Sequence, residues 1–327
     1  MGKRHYAIGK LSVTASTADA VKSIANHDNP SIAIITVAFN PDIEILDRQL
    51  SQLPRAALTV VVDNDSRSEL RSAIDRVVEK YAAILLRNET NMGLPAALNQ
   101  GARYAQKTRP ACRFLLLLDQ DTEPGIGNVE RLVASYDQIA EVHGETCCIG
   151  PRLVDVFTGL DHGFHQIKHW RWSRNFPDSH SQTPVPLANL NGSGTLMPLA
   201  LFDDLNGFEE DLFIDHVDTE WSFRVVAAGY KLYGVPNITF RHRMGERSLR
   251  FWWFGWRAWP YRSPQRHYYL YRNAMRLMRR NYVPQIWKNW ALAKLLLTIL
   301  IHILLDRERY AQIRSMFTGA RDGWRLN

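Results

Sequence analysis

The stretch Phe114 to Gly125, FLLLLDQDTEPG, restricts this chain more than any other: an unbroken apolar run stops at Asp119 and Asp121, then at Pro124 and Gly125. An apolar run of this length closed by turn formers predicts a strand buried on both faces. Charges are excluded from its interior, so the two carboxylates belong at its carboxyl end. That edge of an open α/β sheet is where ligands bind. Side chains repeat every second residue along an extended backbone, so the D-x-D spacing points both carboxylates the same way. Two converging oxygens suit a hard cation such as Mg²⁺ or Mn²⁺; an ordinary acidic turn remains open.

The flanking pattern supports a parallel sheet. Ser31 to Phe39 and Leu58 to Val62 read as buried strands, and Ala83 to Leu86 as a third. Helical periods at Asp42 to Leu53 and Arg71 to Tyr81 separate them, giving β-α-β-α-β. Asn91-Met92-Gly93-Leu94-Pro95 opens a further helix, and Asn128 to Val142 another. Cys147 to Pro151 reads as a strand, and 155–187 as an aperiodic loop region rich in aromatic and His residues. A Gly/Ser turn, NLNGSGTLM, then enters a strand. A helix from Asp218 ends at Gly229, and two late strands, Tyr230 to Val235 and Ile238 to Phe240, deliver Arg241-His242-Arg243 to the sheet edge.

Charge divides the chain. From Arg241 onwards 18 Lys and Arg face four Asp and Glu, whereas 22 face 29 before it. A basic tail dense in Trp, Tyr and Arg implies an anionic partner surface. Ala291 to Leu305 is nearly apolar but short for a membrane span. Docking on an anionic membrane, packing on the core and pairing with a second copy in a homo-oligomer are all open to it. No nucleic-acid motif accompanies the charge, so no nucleic-acid partner is expected. Cys112, Cys147 and Cys148 lack metal or disulfide spacing, which favours a reducing cytoplasm. The basic MGKR start has no apolar run after it, so no signal peptide is expected, and Tyr6 stands where myristoylation wants Ser or Thr.

Taken in order, VVDNDS, NMGLPAALNQG, LLLLDQDTEPG, NGSGTLM with NGFEEDLFIDHVDTEW, and RHRMGERS resemble the inverting glycosyltransferases of family 2, bacterial rhamnosyltransferases most of all. The resemblance covers roughly Ile32 to Ser248. It implies a GT-A fold: an α/β, Rossmann-like mixed sheet with flanking helices over 30–248. An N-terminal extension, 1–29, precedes it, and a helical basic and aromatic segment, 249–327, follows. It implies that Asp63 meets the pyrimidine base, with its neighbour Asn64 in the same donor-binding turn and with Asn91 and Gly93 in a loop close to the nucleotide. Asp119 would face the ribose and Asp121 the divalent ion, with His242 completing the metal shell. Gly192, Ser193, Gly194 and Glu220 would border sugar and acceptor. Asp218 falls on the family's catalytic base, with Asp215 in reserve, although Val217 replaces the acid that usually precedes the base; helix capping is the other reading of Asp218. The implied reaction moves L-rhamnose from dTDP-β-L-rhamnose to a glycan or lipid-linked acceptor, at the cytoplasmic side of a membrane. A UDP-hexose donor and a non-catalytic nucleotide-sugar-binding module are the alternatives.

Overall fold

The computed structural model describes residues 32–243, 248–252 and 256–325. The expected N-terminal extension, Met244 to Arg247 of RHRMGERS and Trp253 to Gly255 lie outside the described residues. The chain starts with β1 (Ile32–Ala38), every residue of which is buried. Its β-branched side chains favour the pleat, and each buried aliphatic contributes roughly 1.5–3 kcal/mol. Then follow α1 (Ile43–Ser51), β2 (Leu58–Asn64), α2 (Ser68–Lys80), β3 (Ile84–Asn88), α3 (Leu94–Thr108) and β4 (Phe114–Asp119). Asp42 caps α1 by accepting from the Glu44 and Ile45 backbone N–H groups.

The strand order is β3-β2-β1-β4, continued by later strands, so successive βαβ units leave β1 first one way and then the other. This switch point opens a crevice at the carboxyl ends. In register, Ala38 pairs with Asp63 and Val37 with Asp119, which brings the polar ends of β2 and β4 to one edge.

The second half completes the sheet. After β5 (Thr122–Glu123) come α4 (Asn128–His143), β6 (Cys147–Asp155), a hairpin of β7 (Phe164–Lys168) and β8 (Arg171–Asn175), β9 (Val185–Pro186) and β10 (Leu196–Pro198). Next are α5 (Leu199–Asp204), α6 (Val217–Ala227) and β11 (Lys231–His242). β10 lies antiparallel between β4 and β6, β11 runs parallel to β6, and β5 closes the edge antiparallel to β11. Beyond these lie a hairpin, β12 (Ser248–Trp252) and β13 (Trp256–Pro260), and three helices: α7 (Pro264–Met278), α8 (Gln285–Leu305) and α9 (Arg309–Arg325).

Four expectations change. The region 155–187 is not an aperiodic loop: it holds the end of β6 and the β7–β8 hairpin, whose pattern is masked because its aromatic face packs on α8, more than a hundred residues later. The two late strands are one, β11, with a register shift between Val235 and Thr239. The C-terminal segment starts with a hairpin before its helices. Finally, the apolar helix has 21 residues, starting after Pro284, because Trp287 and Trp290 extend it N-terminally. It is long and apolar enough to cross a membrane, with 28% of that apolar stretch buried. Trp287 and Ala291 enter the main core beside Trp221, Phe223 and Phe208, while Leu296, Leu300 and Leu304 stay exposed.

Candidate active site

The D-x-D turn is clamped from three sides. Gln49, fully buried on α1, donates from Nε2 to the Asp119 and Thr122 carbonyls at 2.7 and 2.6 Å, and accepts from the Thr36 hydroxyl at 2.9 Å. Gln120 exchanges hydrogen bonds with the Phe39 backbone, accepting at 2.7 Å and donating at 3.3 Å. From below, the Asp119 backbone N–H donates to Ser193 Oγ at 3.1 Å. Gln49 shares a helix face with buried Ile45, Leu46 and Leu50; a glutamine on an apolar stripe was the signal that could have revealed it.

The two-residue strand β5 pairs Thr122 with His242 and thereby folds the turn back beneath the end of β11. Thr122 Oγ1 lies 2.9 Å from His242 Nδ1 and is also hydrogen-bonded to Ser193 Oγ. Asp119, Asp121 and His242 present ligand atoms within 4.8 Å of one another, and Asp121 Oδ1 is 3.4 Å from His242 Nδ1. Burial and the Asp119 charge push the Asp121 carboxyl up to about 6, against the pull of His242 and Arg243. Two crowded carboxylates and an imidazole form a donor set that fits Mg²⁺ or Mn²⁺, which would relieve that repulsion.

Ser193 belongs to the Gly192–Gly194 turn, which is laced to β4 by Gly194 N–H donating to the Leu117 carbonyl at 2.7 Å. Gly194 has φ +83°, and a Cβ there would meet Pro151 at 2.6 Å, so no other residue fits this turn. Its backbone flanks Asp218: a Cβ on Gly192 would stand 3.7 Å from Asp218 Cβ, and the Gly192 N–H holds the carboxylate. Burial first, and the Asp119 charge second, raise Asp218 to about 6, against hydrogen bonds from Thr219 and Gly192. Asp218 is not the helix cap, because α6 begins at Val217 and His216 occupies the cap position.

The segment leading to Asp218 is strained: Phe213, Asp215 and His216 all have positive φ, 62–63°. Each such non-glycine residue costs roughly 1–3 kcal/mol. Its restraint comes from α7. Buried Asn273 donates to the Leu212, Ile214 and Asp215 carbonyls at 2.8, 2.8 and 3.0 Å, Arg272 donates to the Asp211 and Leu212 carbonyls, and Tyr269 stacks on Phe213 at 4.7 Å. We expect Asn273→Ala to lower turnover by roughly 10–100-fold with little change in KM, because the misplaced segment carries Asp218. Thermal unfolding should register a loss of about 1–3 kcal/mol from the orphaned carbonyls. Unaltered turnover would remove Asn273 from this positioning role.

The other expected site residues occupy different surroundings. Asp63 is fully buried, accepting from the Ser66 backbone N–H at 2.9 Å and pairing with Arg87 at 2.9 Å. Asn64 spends its amide on Asn88, Asn91, Met92 and Gly93. These groups build the wall of the β2 side of the crevice. Gly93 does allow a close approach, but to Phe213: a Cβ would fall 2.7 Å from that ring, and Leu94 N–H donates to the Phe213 carbonyl at 2.7 Å. Asp215 is bound by Arg266 at 3.2 Å, with Arg262 at 3.8 Å, and is not free. Glu220, expected beside the acceptor, is buried on the opposite side of α6. It accepts from Arg224, Arg280 and Tyr282. Residues two apart on a helix point roughly 200° apart, so Asp218 and Glu220 cannot share one cleft.

Comparison with known proteins speaks to the family and the fold. Residues 43–190 match the model of glycosyl transferase family 2, a span that includes the D-x-D and ends before Asp218. The dTDP-rhamnosyl transferase RfbF of Shigella flexneri is 28% identical over 257 residues, 78% of this chain and 82% of that protein. Among solved structures, Staphylococcus aureus TarS 1-349 superposes with a TM-score of 0.53 over 90% of this chain and 81% of its own, at 16% identity. GalNAc-T7, solved with UDP, GalNAc and Mn²⁺, gives 0.52 over 65% of this chain and 43% of its own, at 20% identity. These two likenesses speak for the fold. With the D-x-D crevice, the matched region and the RfbF likeness together, the chain carries a glycosyl transferase family 2 domain over residues 43–190 on a GT-A fold and is similar to a bacterial rhamnosyltransferase.

Proposed function

We propose that this enzyme transfers L-rhamnose from dTDP-β-L-rhamnose to a hydroxyl of a glycan or glycolipid acceptor, with inversion. The observation that carries the mechanism is the placement of Asp218, raised to about 6, across the Gly192–Gly194 turn from the Asp119, Asp121 and His242 cluster. A carboxylate with that pKa is ionised at neutral pH and is still basic enough to accept a proton. Asp218 takes the acceptor hydroxyl's proton as that oxygen bonds to the anomeric carbon, and the bond from that carbon to the diphosphate oxygen breaks, releasing dTDP. A divalent ion held by Asp121, His242 and Asp119 would neutralise charge on the departing diphosphate. The rhamnosyl donor rests on the likeness to RfbF.

Calorimetric titration with dTDP-rhamnose, dTDP, UDP and UDP-glucose, each in Mn²⁺ and in EDTA, tests the donor and the metal. Tighter binding of the dTDP compounds in Mn²⁺ is the expected result; preference for the UDP compounds replaces the donor, and absence of nucleotide binding removes the reading. His242→Ala should weaken dTDP binding in Mn²⁺ by at least about tenfold, the lower bound for disturbing even the outer shell of a metal site. Binding in EDTA should be the same for both proteins.

A further inference from the structure

Beside the turn that flanks Asp218, the β7–β8 hairpin faces α8. His165 pairs directly with Arg174 across the hairpin, so both share a face with Trp172. His165 stacks on Trp172 at 5.3 Å, Trp172 meets Trp290 of α8 at 5.9 Å, and Lys294 Nζ lies 4.8 Å over the Trp290 ring. The same row continues towards the site. His162 lies 6.5 Å from His165 and 3.5 Å from the Asn191 amide, next to the Gly192 that flanks Asp218. His216, two residues before Asp218, sets its ring edge-on to Trp287 of α8.

Acidic groups near this cleft are already spent: Asp161 pairs with Arg152 at 2.7 Å, and Asp215 with Arg266 and Arg262. Among the described residues no carboxylate pairs with Arg174 or Lys294, although both side chains reach solvent. The walls still desolvate them. Lys294 falls to about 8 through burial and then the charges of Arg262 and Arg174. Burial and then Arg174 lower His162 to about 4 and His165 to about 3, and burial lowers His216 to about 4, with Lys294 adding to all three. At neutral pH the imidazoles are therefore uncharged hydrogen-bonding groups beside two uncompensated cations. Cations crowded without a counter-charge repel one another, and an anion between them lowers that energy. A guanidinium fork beside a compact ammonium suits a tetrahedral oxyanion.

We propose that this cleft is an acceptor subsite for a phosphate group: the molecule whose hydroxyl reaches Asp218 carries a phosphodiester or diphosphate, held by Arg174 and Lys294 against Trp290. The assignment rests on the proposed reading of the Asp218 side as the acceptor side. It is tested by following intrinsic tryptophan fluorescence of the full chain with Mn²⁺ and saturating dTDP filling the donor site. The probes are decyl phosphate, uncharged decyl maltoside and inorganic phosphate, each added to the wild type and to the Arg174→Gln, Lys294→Gln double variant.

Decyl phosphate should bind the wild type, and the double variant should bind it at least about tenfold more weakly. Decyl maltoside should bind both proteins alike and more weakly than decyl phosphate binds the wild type. Equal binding of the two amphiphiles, or decyl phosphate binding that is unchanged in the double variant, overturns the subsite. Given charge-dependent binding, displacement by inorganic phosphate assigns recognition to the phosphate group itself, and failure to displace assigns it to lipid-borne phosphate; both uphold the subsite. Binding of dTDP in Mn²⁺ is a separate readout. Its absence from the wild type removes the donor reading and leaves the phosphate result standing, and its preservation in the double variant shows an intact fold.

Discussion

Asp218→Asn abolishes transfer and leaves the protein more stable: that pair of results is expected together. Loss of a positioned general base costs about 10²–10⁴-fold in rate, or roughly 3–5 kcal/mol of barrier. Asparagine keeps the shape and an acceptor oxygen for the Thr219 N–H, now 2.8 Å from Asp218 Oδ1, so dTDP binding should persist. The stability change follows from the raised carboxyl, about 6 against the ordinary 3.8. A group whose folded pKa lies above its unfolded one favours the fold only while it is protonated. The Asp218 share of wild-type stability should therefore fall as pH rises from about 4 to about 6, by roughly 2–3 kcal/mol at most, and stay lower above that, while Asp121, also raised to about 6, adds a slope of the same sign. Asp218→Asn should remove its own share of the slope and leave that of Asp121, raising Tm at pH 7 when measured in EDTA. In the wild type, kcat/KM should rise with pH up to about 6 and then level, as the base ionises. Retained transfer in the variant would take the base role from Asp218, and an unchanged Tm would show that the carboxylate is not desolvated as described.

The parts of this site that could be read from residues alone are those fixed by local pattern. An apolar run ending in D-x-D determines both the strand and the direction of its carboxylates, and the structure places them as expected at the carboxyl end of β4. The approach of His242 to Asp121 depends on β5, which has two residues and no period to detect. Resemblance to a family supplied that pairing before the geometry explained it. Asn273 was illegible for a different reason: its partners are three backbone carbonyls about sixty residues earlier, and carbonyls leave no mark in a sequence. For Asp63 and Asn64, polar residues after a buried strand read as ligands, and the structure adds bonds no local pattern shows: to Ser66, Arg87 and the 91–93 loop, which hold the β2 edge of the crevice in shape. Glu220 was decidable in advance, since helical geometry alone separates it from Asp218.

That separation leads to the largest expected loss of stability. Glu220 is 1% exposed and receives Arg224 through two bonds of 2.8 Å, Arg280 at 3.2 Å and the Tyr282 hydroxyl at 2.7 Å. Arg280 is also bound to Glu209, and Arg224 to the Gly207 carbonyl, so one carboxylate joins α6 to the end of α7 and to the segment before the strained loop. Glu220→Ala leaves two largely buried guanidinium groups short of a partner. Breaking a buried pair from one side costs about 3–5 kcal/mol, far more than the intact pair contributes over an apolar replacement. Urea unfolding of Glu220→Ala should show a midpoint shift of that size. Glu220→Gln, which keeps the shape and one acceptor oxygen, should lose less. If Glu220 instead met acceptor from the cleft, the alanine variant would unfold like the wild type and fail only in acceptor KM. A large stability loss with dTDP binding preserved at low temperature assigns Glu220 to the frame that holds α6, and with it Asp218, in place.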